Sequence, residues 1–148
     1  MKISDTLTNQ KKELEFSDKV RIYLCGVTVY DQSHIGHART IIVFDTLRRF
    51  LEANGTQVEL IQNFTDVDDK IINRAKEQGE SASGLSTKYI QTYFEDSDRL
   101  NINSNIWHFV TGDINQIYMI AKNSYMVTAI EDENEPGGFL HSLSLIHI

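Results

Sequence analysis

The chain has 148 residues, the size of one ordinary domain, and 41% of them are hydrophobic, enough to bury a core. A net charge of −7 argues against gripping a nucleic-acid backbone by overall charge and leaves only a local patch open. The single cysteine excludes an internal disulfide and fits a reducing cytoplasm, no apolar run reaches the roughly 18 residues of a membrane span, and the opening Met-Lys-Ile-Ser-Asp is not a signal peptide.

Residues 1–19 are polar, with Lys11, Lys12 and Lys19 scattered through them, and read as an irregular lead-in. Val20–Cys25 is a short, mostly apolar run rich in β-formers, the pattern of a buried parallel strand. The turn His34-Ile-Gly-His37 follows. From His37 to Asn54, Ile41, Phe44, Leu47 and Leu51 recur at helical spacing, and Asn54-Gly55 supplies a stop with glycine at the left-handed position. Val58, Leu60, Gln62 and Phe64 then begin a second strand. Strand, helix, strand is a βαβ unit, expected to be right-handed. Its ligand belongs at the carboxyl ends of the strands, where the Cys25 turn and Asn63-Phe64-Thr65-Asp66 both lie.

Asp66 or Asp68 can cap a helix running to about Gln78, with Ile71 and Ile72 inward and Gly79 as its stop. Ser81-Ala-Ser-Gly84 reads as a loop. Residues 86–98 read as an amphipathic helix with Tyr89, Tyr93 and Phe94 on its apolar side, and Asp113–Lys122 as a third helix. The last forty residues follow no clear pattern, and there is no internal repeat. The fold class expected is therefore α/β: a Rossmann-like, nucleotide-binding parallel sheet with flanking helices, incomplete.

The segment Cys25-Gly-Val-Thr-Val-Tyr-Asp-Gln-Ser-His34-Ile-Gly-His37 carries the chemistry. Backbone N–H groups at a helix N-terminus attract phosphate, and the helix dipole adds to the attraction. Gly36, between the two histidines, lets a flat ligand lie close to the backbone. His34 and His37 can donate to charge developing on a phosphoryl group. These residues point to a site where ATP is attacked at phosphorus, and they do not name the second substrate. The competing reading is a helix start with an incidental pair of imidazoles.

Cys25 alone is most often a small buried hydrophobe. Zinc needs three or four ligands, and the chain has no second cysteine and no local pair of spaced histidines, while His108, His141 and His147 are scattered. A complete zinc site within these residues is not expected. Asp45, Asp66, Asp68 and Asp69 form an acidic group. The last three can hold an ammonium or magnesium, but capping and a solvated first turn suit Asp68 and Asp69 better; Thr65 and Asp66 lie nearest the expected pocket. Arg39 is near enough to the turn to meet phosphate, Arg48 and Arg49 read as surface charges, and Tyr89, Tyr93 and Phe94 as core rather than a stacking platform.

At these residues the chain resembles the cysteinyl-tRNA synthetases. The likeness runs through Tyr23-Leu-Cys-Gly-Val-Thr-Val-Tyr-Asp31, His34-Ile-Gly-His-Ala-Arg-Thr40, Phe44-Asp45 and Gln62-Asn-Phe-Thr-Asp-Val-Asp-Asp-Lys-Ile-Ile-Asn-Arg-Ala75, with Thr6-Leu7-Thr8 resembling the family's start. It is firm over residues 5–102 and thins to positions such as Val110-Thr111 and Tyr125. The cysteine ligase of mycothiol synthesis shares the Cys-Gly turn but fits less well at Val29, at Ile35 and at Lys70-Ile71-Ile72.

The resemblance implies a class I synthetase that makes cysteinyl-adenylate and pyrophosphate from L-cysteine and ATP, then passes the cysteinyl group to tRNA(Cys), as a cytoplasmic monomer with no membrane partner. It implies catalytic His34 and His37, ATP binding by His34, Gly36 and His37, and cysteine binding by Cys25, Gly26 and Thr65. It makes Cys25 one ligand of a zinc ion that also takes the substrate thiolate. The family's other zinc ligands, its Lys-Met-Ser-Lys-Ser loop and its tRNA-binding helical domain come from further downstream and are not in this sequence. The chain therefore reads as the first part of a synthetase: 1–19 lead-in, 20–102 the first half of the catalytic domain, and 103–142 the start of a divergent connective insertion. Such a piece is expected to be inactive alone. Two other readings stay open: a small nucleotidyltransferase of the His-x-Gly-His superfamily, and a non-catalytic nucleotide-binding module.

Leu143-Ser-Leu-Ile-His-Ile148 is what CTG TCT CTT ATA CAC ATC encodes, which resembles a transposase adapter used in sequencing libraries. Residues 143–148 are expected to be a non-native tail. Other codons at those positions in the underlying DNA would end that idea.

Overall fold

The computed structural model describes residues 1–5, 8–13, 18–102, 106–113, 116, 119, 129–131, 139–141 and 144–147. Its elements in order are β1 (Lys2–Asp5), β2 (Gln10–Glu13), β3 (Lys19–Thr28), α1 (Ile35–Ala53), β4 (Gln57–Thr65), α2 (Asp69–Gln78), α3 (Ala82–Arg99), β5 (His108–Val110), β6 (Ala129–Glu131), β7 (Phe139–His141) and β8 (Ser144–His147). The central sheet has the order β5-β4-β3-β8. Within it, β3, β4 and β5 are parallel, and β8 lies antiparallel on the free side of β3, from Arg21 opposite His147 to Leu24 opposite Ser144.

The apolar pattern explains the core. Val20, Ile22 and Leu24 of β3 alternate with more exposed neighbours and meet Leu60 and Phe64 of β4, Ile41 and Leu51 of α1, and Leu85, Tyr89 and Tyr93 of α3. Phe64 sits at the centre of an aromatic group, edge-on to Tyr93 and Phe94 and stacked on Phe109, with centroids 5.3, 5.6 and 5.3 Å away. Gln62, buried in the same layer, accepts a hydrogen bond from the Tyr93 hydroxyl at 3.2 Å, so the amide is not left unpaired in the core. The stripe Tyr89, Tyr93, Phe94 is core, as its spacing predicts.

Helix ends follow local chemistry. Asp68 caps α2, accepting from the Lys70 N–H at 2.8 Å, and Gly79 closes it in the left-handed conformation at φ 68°. Asn54 ends α1, and Gly55 behind it takes φ 84°. Two expectations are corrected. Ser81-Ala-Ser-Gly84 is not a loop: the Ser81 hydroxyl accepts from the Gly84 N–H at 3.0 Å and α3 starts at Ala82. A serine followed by small residues reads equally as loop and as cap, and the apolar face that begins at Leu85 decides for the helix. Residues 2–5 and 10–13 are not irregular either, since β1 and β2 pair antiparallel with Lys2 opposite Glu13. Their side chains are mostly exposed, so no burial pattern marks them in the sequence. The expected helix over 113–122 falls largely outside the described residues.

Candidate functional site

The carboxyl edge of the sheet carries Thr65 at the end of β4, and from the end of β3 the chain runs on to His34 and His37. Thr28 ends β3 opposite Thr65, which ends β4, and the Val29 N–H donates to the Thr65 carbonyl at 3.2 Å, clamping the two exits together. The chain then leaves β3 and enters α1 through His34. His34 is the N-cap in extended conformation, and its Nδ1 accepts the Gly36 N–H at 3.0 Å. His37 reaches back, its Nδ1 accepting the His34 N–H at 3.2 Å, which completes a reciprocal capping box. The two rings stack with centroids 3.9 Å apart.

This geometry fixes the chemistry of the pair. A ring nitrogen that accepts a backbone N–H carries no proton, so each neutral imidazole holds its proton on Nε2 and offers that N–H as a donor. Burial, and then the charge of His34, hold His37 below its ordinary 6.5, which favours the neutral form. His34 is exposed and His37 half-buried, so the pair presents donors beside a helix N-terminus that itself favours negative charge. Gly36 has a nearer duty than admitting a ligand. A Cβ there would stand 2.7 Å from Cε1 and 2.9 Å from Nδ1 of His34, so the space belongs to the His34 ring.

Cys25 lies where the β3–β4 register slips. Leu24 faces Gln62 and Val27 faces Phe64, so Cys25 and Gly26 together stand opposite Asn63 alone, a β-bulge in a parallel pair. Cys25 is half-buried, and burial pushes its thiol up against a smaller lowering by a backbone hydrogen bond at Gly26. Among the described residues no group of three or more His, Cys, Asp or Glu converges on a common point.

The acidic residues separate by role. Asp68 is the α2 cap. Asp66, half-buried, accepts a hydrogen bond from the Thr111 hydroxyl at 2.6 Å, tying the exit of β4 to that of β5. Asp45 is buried in α1 and bonds Arg48 at 2.8 Å and Arg49 at 2.6 Å. Arg48 is not a surface charge: it is 4% exposed and also pairs with Glu52 at 2.6 Å. Arg49, more exposed, reaches the Asn101 carbonyl at 3.0 Å. Arg39 is exposed on α1.

Sequence reasoning missed three contacts around this edge. The Tyr23 hydroxyl donates to Asn63 Oδ1 at 2.8 Å, Arg74 meets Asp31 at 3.3 Å, and the Lys70 ammonium sits 5.8 Å from the Tyr30 ring centre. Each joins residues some forty positions apart, on segments that the parallel pairing of β3 and β4 sets side by side.

Residues 11–133 match the family described as tRNA synthetases class I (C) catalytic domain. The chain is similar to the cysteine-tRNA ligase of Gloeothece citriformis, 45% identical over 137 residues, which is 88% of this chain and 28% of that protein. It is 52% identical over 126 residues to the enzyme of that name from Clostridioides difficile, covering 82% of this chain and 27% of the relative. It is 54% identical over 104 residues to the one from Caldicellulosiruptor saccharolyticus, covering 69% and 22%. The chain thus spans about a quarter of the length of these relatives. Among its described residues, no helix is long and apolar enough to cross a membrane.

Proposed function

The chain belongs to the family of class I tRNA synthetase (C) catalytic domains, and from that premise we propose that it is part of a cytoplasmic cysteine-tRNA ligase, contributing the half-site that holds ATP while L-cysteine is activated. The observation that carries this reading is the His34–His37 capping box at the carboxyl edge of the sheet. In the reaction a cysteine carboxylate oxygen attacks the α-phosphorus, the bond to the pyrophosphate oxygen breaks, and cysteinyl-adenylate and pyrophosphate leave the step. Negative charge builds on the phosphoryl oxygens as this happens. The Nε2–H groups of His34 and His37 and the N-terminal amides of α1 are fixed donors for that charge, and fixed donors need no reorganisation at the moment of reaction. Transfer of the cysteinyl group to tRNA(Cys) completes the activity.

Cys25, Gly26 and Thr65 form the cysteine-binding side of the proposed site, close to the clamp between Val29 and Thr65. Zinc, when bound, would discriminate for a thiol because it favours sulfur over a hydroxyl. Cys25 is then one ligand, and the remaining donors belong to parts of a full-length enzyme outside this sequence. Residues 143–148 are proposed to be foreign to that enzyme.

The 148 residues alone are proposed to be inactive. They hold half of an ATP site and one thiol, and loss of substrate positioning removes about 7–11 kcal/mol of barrier lowering. The test is cysteine-dependent ATP–pyrophosphate exchange, run on this chain and on a full-length ligase that contains it. The expected result is exchange in the full-length protein and none in the chain. Exchange by the chain would make it a self-sufficient enzyme, and adenylylation of a phosphorylated substrate instead of cysteine would favour a small nucleotidyltransferase. In the full-length protein, Cys25→Ser is expected to lower both zinc content and cysteine affinity; metal analysis showing full zinc with normal cysteine binding removes Cys25 from the site.

A further inference from the structure

We propose that Asn63 is a positioning residue for Cys25: its side chain, held by Tyr23, fills the place opposite the Cys25–Gly26 bulge and so sets where the thiol stands at the ligand edge. The inference rests on the proposed role of Cys25 in cysteine recognition and adds the residues that aim it.

Parallel strands carry evenly spaced hydrogen bonds, and an extra residue in one of them is uncommon and has to be accommodated by its neighbour. Here two residues of β3 face one of β4, and that one is Asn63. A Cβ at position 26 would overlap the carboxamide nitrogen and the backbone oxygen of Asn63, with Asn63 Cγ at 2.6 Å. The asparagine therefore occupies the volume that any other residue at position 26 would need. Its carboxamide is not free to swing away, because Oδ1 accepts the Tyr23 hydroxyl at 2.8 Å and both residues are buried, Tyr23 at 6% and Asn63 at 8% exposure. Tyr23 stands two residues before Cys25 on the same strand. The result is a three-part brace: Tyr23 fixes Asn63, Asn63 fits against Gly26, and Gly26 adjoins the thiol.

An asparagine is an unusual residue for a buried strand position. Asparagine is disfavoured in strands, and burying an amide costs free energy unless it is hydrogen-bonded. An apolar residue would suit a buried strand position better, as Leu60 and Phe64 of the same strand show. A local departure from what the fold prefers is expected where geometry serves a ligand.

The chain has one cysteine, so alkylation by iodoacetamide followed by mass measurement reads Cys25 alone. Rates are compared for the parent chain, Asn63→Ala, the milder Tyr23→Phe, and Ser97→Ala, each with a thermal melt. Ser97 is buried in α3, where its hydroxyl donates to the Tyr93 carbonyl at 2.8 Å, so its loss loosens the molecule away from the bulge. The expected result is alkylation about fivefold faster in Tyr23→Phe, the size of one lost buried hydrogen bond, a larger gain in Asn63→Ala, and the parent rate in Ser97→Ala. Equal rates in all four proteins, or the same gain in Ser97→Ala, overturn the proposal. In a full-length ligase, Tyr23→Phe is expected to raise the KM for cysteine by a similar factor and leave the KM for ATP alone; an equal rise in both overturns it. If the full-length protein shows no cysteine-dependent exchange, the functional reading fails, and the alkylation rates still decide whether Asn63 positions Cys25.

Discussion

The two ends of α1 both carry polar side chains and use them in opposite ways. In its C-terminal half, Asp45, Arg48, Arg49 and Glu52 pair with one another, at distances of 2.6–2.8 Å, around an open depression of about 600 Å³ that Arg48, Arg49, Glu52, Ala53, Asn101 and Ile106 line. At the N-terminus, His34 and His37 turn one ring nitrogen each to the backbone and keep the other as a donor. The larger concavity is therefore the less promising site. Its charges already have partners, whereas the small helix start carries donors whose geometry is fixed and whose second nitrogen is uncommitted to the capping box. The difference teaches that a chemical site is recognised by hydrogen-bonding capacity left over after folding, not by the density of polar residues or by volume.

The sharpest way to break the contrast is at Asp45. Burial pushes its carboxyl up, but hydrogen bonds from Arg49 and Arg48, with the charges of both, hold it below its ordinary value. Removing one member of a buried pair typically costs about 3–5 kcal/mol, and because Arg48 keeps Glu52 the loss here belongs at the lower end of that range. Asp45→Ala is expected to lose stability on that scale in urea unfolding while leaving cysteine and ATP KM in a full-length ligase unchanged. A loss near that of an exposed ion pair, below about 1 kcal/mol, would put the network on the surface and erase the distinction.

The converse holds at the other end. His37→Ala in a full-length ligase is expected to lower adenylate formation by about 10²–10³, or about 2.7–4 kcal/mol of transition-state stabilisation, through loss of one oriented donor. Its effect on folding should be smaller, about 1 kcal/mol, the worth of one capping interaction. Pyrophosphate-exchange kinetics with a parallel unfolding curve separate the two. An unchanged rate with an altered cysteine KM would move His37 from the phosphate to the amino-acid side of the site.

What the sequence disclosed follows the same division. Strand, helix, strand, the stop at Gly79 and the aromatic core were legible because apolar spacing and glycine chemistry are local. A cap at Asp66 or Asp68 and the turn at His34–His37 were legible for the same reason, and the structure assigns the cap to Asp68. The pairing of β1 with β2 was not, because exposed polar strands leave no burial pattern. Arg48 read as a surface charge because its burial depends on Asp45 and Glu52 saturating it, a property of three side chains together. Nor was the brace of Tyr23, Asn63 and Gly26 legible, since a bulge shifts the register by one residue and its partner lies on another strand. Gly36 was noticed for a ligand's sake, while the atom nearest its missing Cβ belongs to His34.

The smallest expected effect distinguishes the two ends by pH. The folded state holds His37 below its ordinary 6.5, by burial first and by the charge of His34 second, and Asp96 of α3 shares the small space beside it. Below 6.5 the unfolded chain takes up a proton that the folded chain resists, so the unfolded state binds more protons and stability rises with pH in that interval. The stabilisation is whole above 6.5 and is lost as pH falls from there to the lowered folded value. Asp45 behaves with a different window: its carboxyl is held below 3.8, so its contribution is intact above 3.8 and is lost only as pH falls through the folded value. Unfolding free energy measured at pH 7.5, 6 and 5 should therefore decline between the first and last points in the parent chain and decline less in His37→Ala, with Asp45→Ala shifting all three points down together. The decline is modest, because His37 is only half-buried and solvent screens part of the interaction. An equal decline in parent and His37→Ala would assign the proton uptake to another group and would mean that the N-terminal end of α1 is as indifferent to neutral pH as the paired charges at its other end.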